Sequence, residues 1–87
     1  MKIAVIDGQG GGIGKAIVEK LVKELSDKKL TEDVNIITLG TNSSATAIML
    51  KAGAKEGATG ENAIIYNSRK VDVIIGPIGI IISNSMM

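Results

Sequence analysis

The residues best placed to do chemistry in this chain are glycines. From Gly8 to Gly14 the sequence reads GQGGGIG, five glycines in seven positions. Gly8, Gly12 and Gly14 are spaced G-x-x-x-G-x-G, with Gln9, Gly10, Gly11 and Ile13 filling the gaps. An apolar run precedes them and an amphipathic run follows, so the segment reads as a turn from strand to helix. Glycines let backbone N–H groups approach a ligand closely. The following helix adds unpaired N–H donors and about half a positive charge at its N-terminus. A phosphate fits such a place. The competing reading is a tight turn in which glycine only permits close packing.

Two further clusters could join it. Gly40-Thr41-Asn42-Ser43-Ser44 ends a second apolar run. One of these polar residues is expected to cap the next helix, and others to meet a ligand. In an NAD site an acid at this point holds the ribose 2′-OH. Thr41, Asn42 and Ser43 offer uncharged groups instead, which suit the 2′-phosphate of NADP or a second anion. Gly76-Pro77 stops a third apolar run. Thr59 and Glu61 read as an N-cap and a first-turn acid. Asp7 sets a carboxylate beside the presumed phosphate. It is expected to accept N–H bonds from its own loop, the alternative being an Mg²⁺ bridge to phosphate. Lys15 falls among the charged, solvent-facing positions of its helix.

The elements that must position these residues follow from periodicity. Lys2–Ile6 (KIAVI), Val34–Leu39 (VNIITL) and Val71–Ile75 (VDVII) read as buried strands of a parallel sheet. Ile13–Leu25 has helical period, with Ile17, Leu21 and Leu25 every fourth residue. Ala45–Ala52 predicts a short helix closed by Gly53. Its apolar residues run nearly all round (Ala47, Ile48, Met49, Leu50), so it is expected to be buried, within the chain or against another subunit. Lys55–Gly60 reads as a turn, and Gly60 to about Lys70 as a third helix, the alternative being a strand at Ala63–Tyr66. The result is one small three-layer α/β domain with a three-stranded, or slightly larger, parallel sheet. All strand C-termini share one edge, where open α/β sheets bind ligands.

Two resemblances attach to these residues. DGQGGGIGKAIVEKL resembles the cofactor segment of the short-chain dehydrogenase/reductase family, T-G-x-x-x-G-[IL]-G followed by a helix. Gly8, Gly12, Ile13 and Gly14 match, while Asp7 stands where the family usually has threonine. VDVIIGPIG is similar to that family's buried strand ending in N-N-A-G, but only Gly79 fits the motif. The family's Y-x-x-x-K is present as Tyr66–Lys70, yet it precedes the strand it should follow, and the catalytic serine's strand is missing. The whole chain more closely resembles a small uncharacterised bacterial family with a glycine-rich, Rossmann-like start, through DGQGGGIG, GTNS, KAGA, GATGEN and GPIG. That resemblance implies a fold and no activity. It also implies that the native chain continues past Met87. A Walker A motif fails, because Gln9 stands six positions before Lys15 and Ala16 replaces the Mg²⁺-binding hydroxyl. The deviant form of the chromosome-partitioning ATPases fails at its first lysine and its hydroxyl.

Bulk composition narrows the function classes. The chain has 87 residues, 45% of them apolar, and Tyr66 is its one aromatic. A domain of this size buries only about 60–65% of its unfolded surface. Net charge is +1, which supplies no basic face for nucleic acid. There is no cysteine and no histidine, so no thiolate metal site and no imidazole base. No metal site is expected. No signal peptide or membrane span is predicted, so the expected location is the cytoplasm. The expected function is binding of a nucleotide, dinucleotide or other phosphorylated ligand at the glycine loop. The alternatives are an NADP-linked oxidoreductase and an interaction protein whose glycines only pack. The Ile78–Ile82 run and Met86-Met87 read as core or interface, and the chain is expected to form a homo-oligomer.

Overall fold

A computed structural model describes residues 1–82. Met86 and Met87, read from sequence as core or interface, lie outside the described residues. The chain runs β1 (Lys2–Asp7), α1 (Gly12–Asp27), β2 (Asn35–Gly40), α2 (Ser43–Lys51), β3 (Glu56–Thr59), α3 (Glu61–Ser68), β4 (Val73–Gly76) and β5 (Gly79–Ile82). Among the described residues these form one five-stranded sheet in the order β3-β2-β1-β4-β5. The first four strands are parallel, and β5 returns antiparallel to β4.

The layers follow from strand alternation. Val5 and Ile36 point to one face and pack with Val18 of α1 and with Ala45 and Met49 of α2. Ala4, Ile37 and Leu39 point to the other, where Ile64 of α3 and Val71 cover them. Both apolar faces of β1 and β2 are thereby buried, which is why their sequences are apolar almost without interruption. The chain winds from β1 to β2 to β3 with helices on one face. It then crosses back to β4 on the far side of β1, which puts α3 on the opposite face. This is the architecture of a small Rossmann-like α/β domain, and β1 and β4 flank its topological switch point.

Two strands exceed the three read from sequence. Glu56–Thr59, read as a turn, is β3: its backbone pairs with Ile37–Gly40 of β2, although EGAT has no apolar pattern. Gly79–Ile82 is β5, an edge strand exposed throughout. Within the single chain helix α2 is buried along one side only. Ala45, Thr46 and Met49 are buried, but Ile48 and Leu50 are more than one-third exposed at 37% and 38%. Its end is as expected, with Gly53 at φ 126 after the last turn.

Candidate functional site

β1 delivers the glycine loop to the C-terminal edge of the sheet. The Gly11 N–H donates to Gly8 O at 2.9 Å, closing a turn through Gln9 at φ 48. Gly11, at φ 74, is the N-cap of α1 and has no side chain with which to cap it. Asp7 supplies the missing acceptor. Its Oδ2 takes the N–H of Gly14 at 2.6 Å and its Oδ1 that of Gly8 at 2.8 Å. Both carboxylate oxygens are thus engaged by the loop, as the sequence suggested over an Mg²⁺ bridge. Among the described residues no group of three or more acidic side chains converges on a metal-sized site.

This bonding revises which donors face outward. Gly11 and Gly14 donate inward, to Gly8 O and Asp7 Oδ2, so their N–H groups are taken within the loop. Gly12 and Ile13 open α1, and the first helical N–H groups have no carbonyl within the helix. The loop's glycines also divide by what surrounds them. A Cβ on Gly8 would lie 2.8 Å from Thr41 Oγ1. One on Gly11 would lie 2.9 Å from the Ala45 backbone, and one on Gly14 would strike the Met49 thioether. A Cβ on Gly10 or Gly12 would meet nothing within 4 Å. Close packing therefore accounts for three of these glycines and leaves Gly10 and Gly12 without a packing reason.

The second loop is tied to the first. Thr41 N–H donates to Asp7 O at 3.1 Å. Asn42 is the cap of α2: its Oδ1 accepts the Ala45 N–H at 2.8 Å, while its Nδ2 donates to Gln9 O at 3.0 Å. One amide thus fixes both the start of α2 and the tip of the glycine loop. Ser43 begins α2 and is exposed. Thr59 does not cap α3, whose N-cap is Gly60. Its hydroxyl donates instead to Thr46 Oγ1 at 2.8 Å, and that hydroxyl lies 3.3 Å from Ala58 O. The pair joins α2 to β3 below the loops.

Of the residues singled out from sequence, Asp7, Gly8, Thr41, Gly76, Pro77 and Gly79 meet around one crevice of about 330 Å³. It opens between β1 and β4 at the switch point. Ile6, Ile74, Ile78 and Ile81 complete an almost wholly apolar wall. Gln9, Gly10, Gly11, Gly12, Ile13, Gly14, Asn42 and Ser43 are not in that wall. The glycine tip and the crevice are neighbouring but separate features, joined through Asp7 and Gly8. The isoleucine wall was missed from sequence. It forms only through the pairings Ala4↔Ile74 and Ile74↔Ile81, which put β4 and β5 beside β1. A smaller cavity of about 180 Å³, lined by Val22, Leu25, Ile36 and Lys55, lies toward the opposite edge.

Tyr66 and Lys70 are also placed. Lys70 Nζ donates to Tyr66 Oη and sits 4.1 Å from the ring centroid. That bond, with the Lys70 charge second, pulls the phenol below its ordinary pKa. The pair lies near Lys2, whose N–H donates to Asp72 Oδ2 at 2.8 Å. This is the N-terminal edge of the sheet, a strand's length from the glycine loop. Lys15 is exposed on α1.

No curated protein and no solved structure matches the chain. A family model does match, over residues 2–87, and its description is a domain of unknown function (DUF3842). The chain, with its glycine loop, asparagine clamp and apolar crevice, therefore belongs to the DUF3842 family.

Proposed function

We propose that the protein binds a phosphorylated small molecule, of the nucleotide or dinucleotide class, at the C-terminal edge of its sheet. The observation that carries this is the open space before Gly10 and Gly12, in a loop whose other glycines are pressed against neighbours. A phosphate would sit on the first-turn N–H groups of Gly12 and Ile13, where the α1 dipole favours it. An apolar or flat part of the same ligand would enter the crevice lined by Ile6, Ile74, Pro77 and Ile81. Asp7 already draws on the same helix terminus, which favours a modest anion over a highly charged one.

Binding without chemistry is the preferred reading. The chain has no histidine or cysteine, and the one tyrosine–lysine pair lies at the far edge. The second reading is an NADP-linked oxidoreductase, supported by the resemblance of Gly8, Gly12, Ile13 and Gly14 to the short-chain dehydrogenase/reductase segment. Thr41, Asn42 and Ser43 supply no carboxylate for a ribose 2′-OH, so any dinucleotide preference is for NADP(H). The third, an interaction protein, would leave Gly10 and Gly12 without a role. The cytoplasm is the proposed location, and among the described residues no helix is long and apolar enough to cross a membrane. The protein is also proposed to act as a homo-oligomer.

Calorimetry with ADP, NADP⁺, NAD⁺ and inorganic phosphate tests this reading in the wild type and in Gly12→Val. Binding is expected in the wild type and loss in the variant, with NADP⁺ tighter than NAD⁺. Equal binding in both proteins, or none in either, overturns the site. Tighter NAD⁺ overturns the dinucleotide preference alone.

A further inference from the structure

Among the described residues the helices lie over β1, β2 and β3, and none covers the β5 side of the sheet. Ile78, Ile80, Ile81 and Ile82 are 98%, 69%, 57% and 60% exposed. Val73 and Ile75 of β4 are only half-buried. Four such isoleucines expose on the order of 500 Å² of apolar surface, near the top of what one patch on a soluble monomer shows. With the backbone edge of β5, which no other described strand pairs, and the half-buried β4 beside it, the patch approaches the ~800 Å² that each partner gives to a stable complex. Edge strands are normally guarded by lysine, another charge or a bulge. No charged residue occurs from Val73 to Ile82.

We infer that β5 is the homo-oligomer interface, pairing antiparallel with β5 of a second copy about a two-fold axis. The inference rests on the proposal that the chain self-associates, and names the surface. β5 is already antiparallel to β4, so its outer edge offers the next antiparallel position. A two-fold interface needs one strand that complements itself. An uncharged isoleucine strand does so without like-charge repulsion, and a charged partner would find nothing there to pair with. An axis perpendicular to the sheet sets a residue opposite its own copy. In β5 the central residues are Ile80 and Ile81.

Sedimentation equilibrium at micromolar concentration, on the wild type and on Ile80→Lys/Ile82→Lys, tests the interface. Both side chains are exposed in the single chain, so the lysines leave the monomer fold intact, which circular dichroism checks. The wild type is expected at twice 9.0 kDa and the variant at 9.0 kDa. A wild type at 9.0 kDa overturns self-association itself. A variant as associated as the wild type overturns only the β5 edge. Since the chain has no cysteine, single-cysteine variants give a second readout. Mild oxidation is expected to link Ile80→Cys or Ile81→Cys into a covalent pair, and to leave Glu56→Cys on the opposite edge strand unlinked. No more linkage at 80 or 81 than at 56 overturns the pairing.

Discussion

The Asp7 carboxylate accepts the Gly14 N–H at 2.6 Å, so the last residue of β1 caps α1 from across the glycine loop. Its other oxygen holds the Gly8 N–H. Both donors need an acceptor, and a carboxylate offers two. An amide offers one, and turns an NH₂ toward the other donor. Asp7→Asn is therefore expected to lose about 1–3 kcal/mol of stability, read by urea denaturation. It also removes a negative charge from the helix N-terminus. Inorganic phosphate is expected to bind the variant more tightly, read by calorimetry. A variant as stable as the wild type would mean that Asp7 does not cap α1.

Asn42 performs two separable tasks. Asn42→Ala loses the Ala45 cap and is expected to cost about 1 kcal/mol. Asn42→Asp keeps an acceptor for Ala45, so it should cost much less. Both variants lose the donor to Gln9 O. Gln9 sits at φ 48, a conformation costing a non-glycine residue roughly 1–2 kcal/mol. Without the clamp the loop should open more often. Hydrogen exchange at Gly11, whose N–H closes the turn, is expected to speed up in both variants. Unchanged exchange in Asn42→Asp would show that the clamp does not order the tip.

These contacts mark where sequence reading stops. β1, α1 and β2 were legible because each is a contiguous run with its own period; a cap after Gly40 was legible because caps have a local signature, but which residue supplies it was not, and Asn42 does. β3 was not, because EGAT becomes a strand only through the β2 backbone beside it. Thr59 looked like a cap because sequence neighbours are visible and Thr46 is not. The crevice was half legible. Gly8, Thr41, Gly76 and Pro77 follow from the shared strand edge, whereas Ile6, Ile74 and Ile81 need the register. The same limit divided the glycines, since the space before Gly10 and Gly12 depends on α2 and Met49 lying elsewhere.

Tyr66 gives a test on the opposite edge. Its bond to Lys70, and then the Lys70 charge, favour the phenolate, so its pKa lies below the ordinary value of 10.0. As the only aromatic it can be titrated alone by ultraviolet absorbance. Lys70→Ala is expected to move the midpoint back up. A lowered pKa in the folded state adds stability only where the phenolate forms, and loses it as pH falls through the folded value. Below the folded value the phenol is protonated in both the folded and the unfolded chain, so the shift itself adds no stability there. A midpoint that does not move would mean that the pair does not form in solution.

The glycine loop offers the sharpest contrast, between two residues of the same helical turn. A methyl on Gly14 would strike Met49, which is fully buried, and lie 2.9 Å from Asp7 Cβ. Neither neighbour can withdraw freely, since Met49 is packed in the core and Asp7 is held by its two N–H bonds. Gly14→Ala is expected to cost about 1–3 kcal/mol. A methyl on Gly12 meets nothing within 4 Å. Gly12 also begins a helix, where alanine restricts the unfolded chain without native strain. Gly12→Ala is expected to be neutral or to stabilise by up to about 1 kcal/mol. If glycine at position 12 serves a ligand, its loss should weaken phosphate binding while stability holds. Urea denaturation and calorimetry on both variants separate the effects. Gly12→Ala as unstable as Gly14→Ala would mean that the whole loop exists for packing.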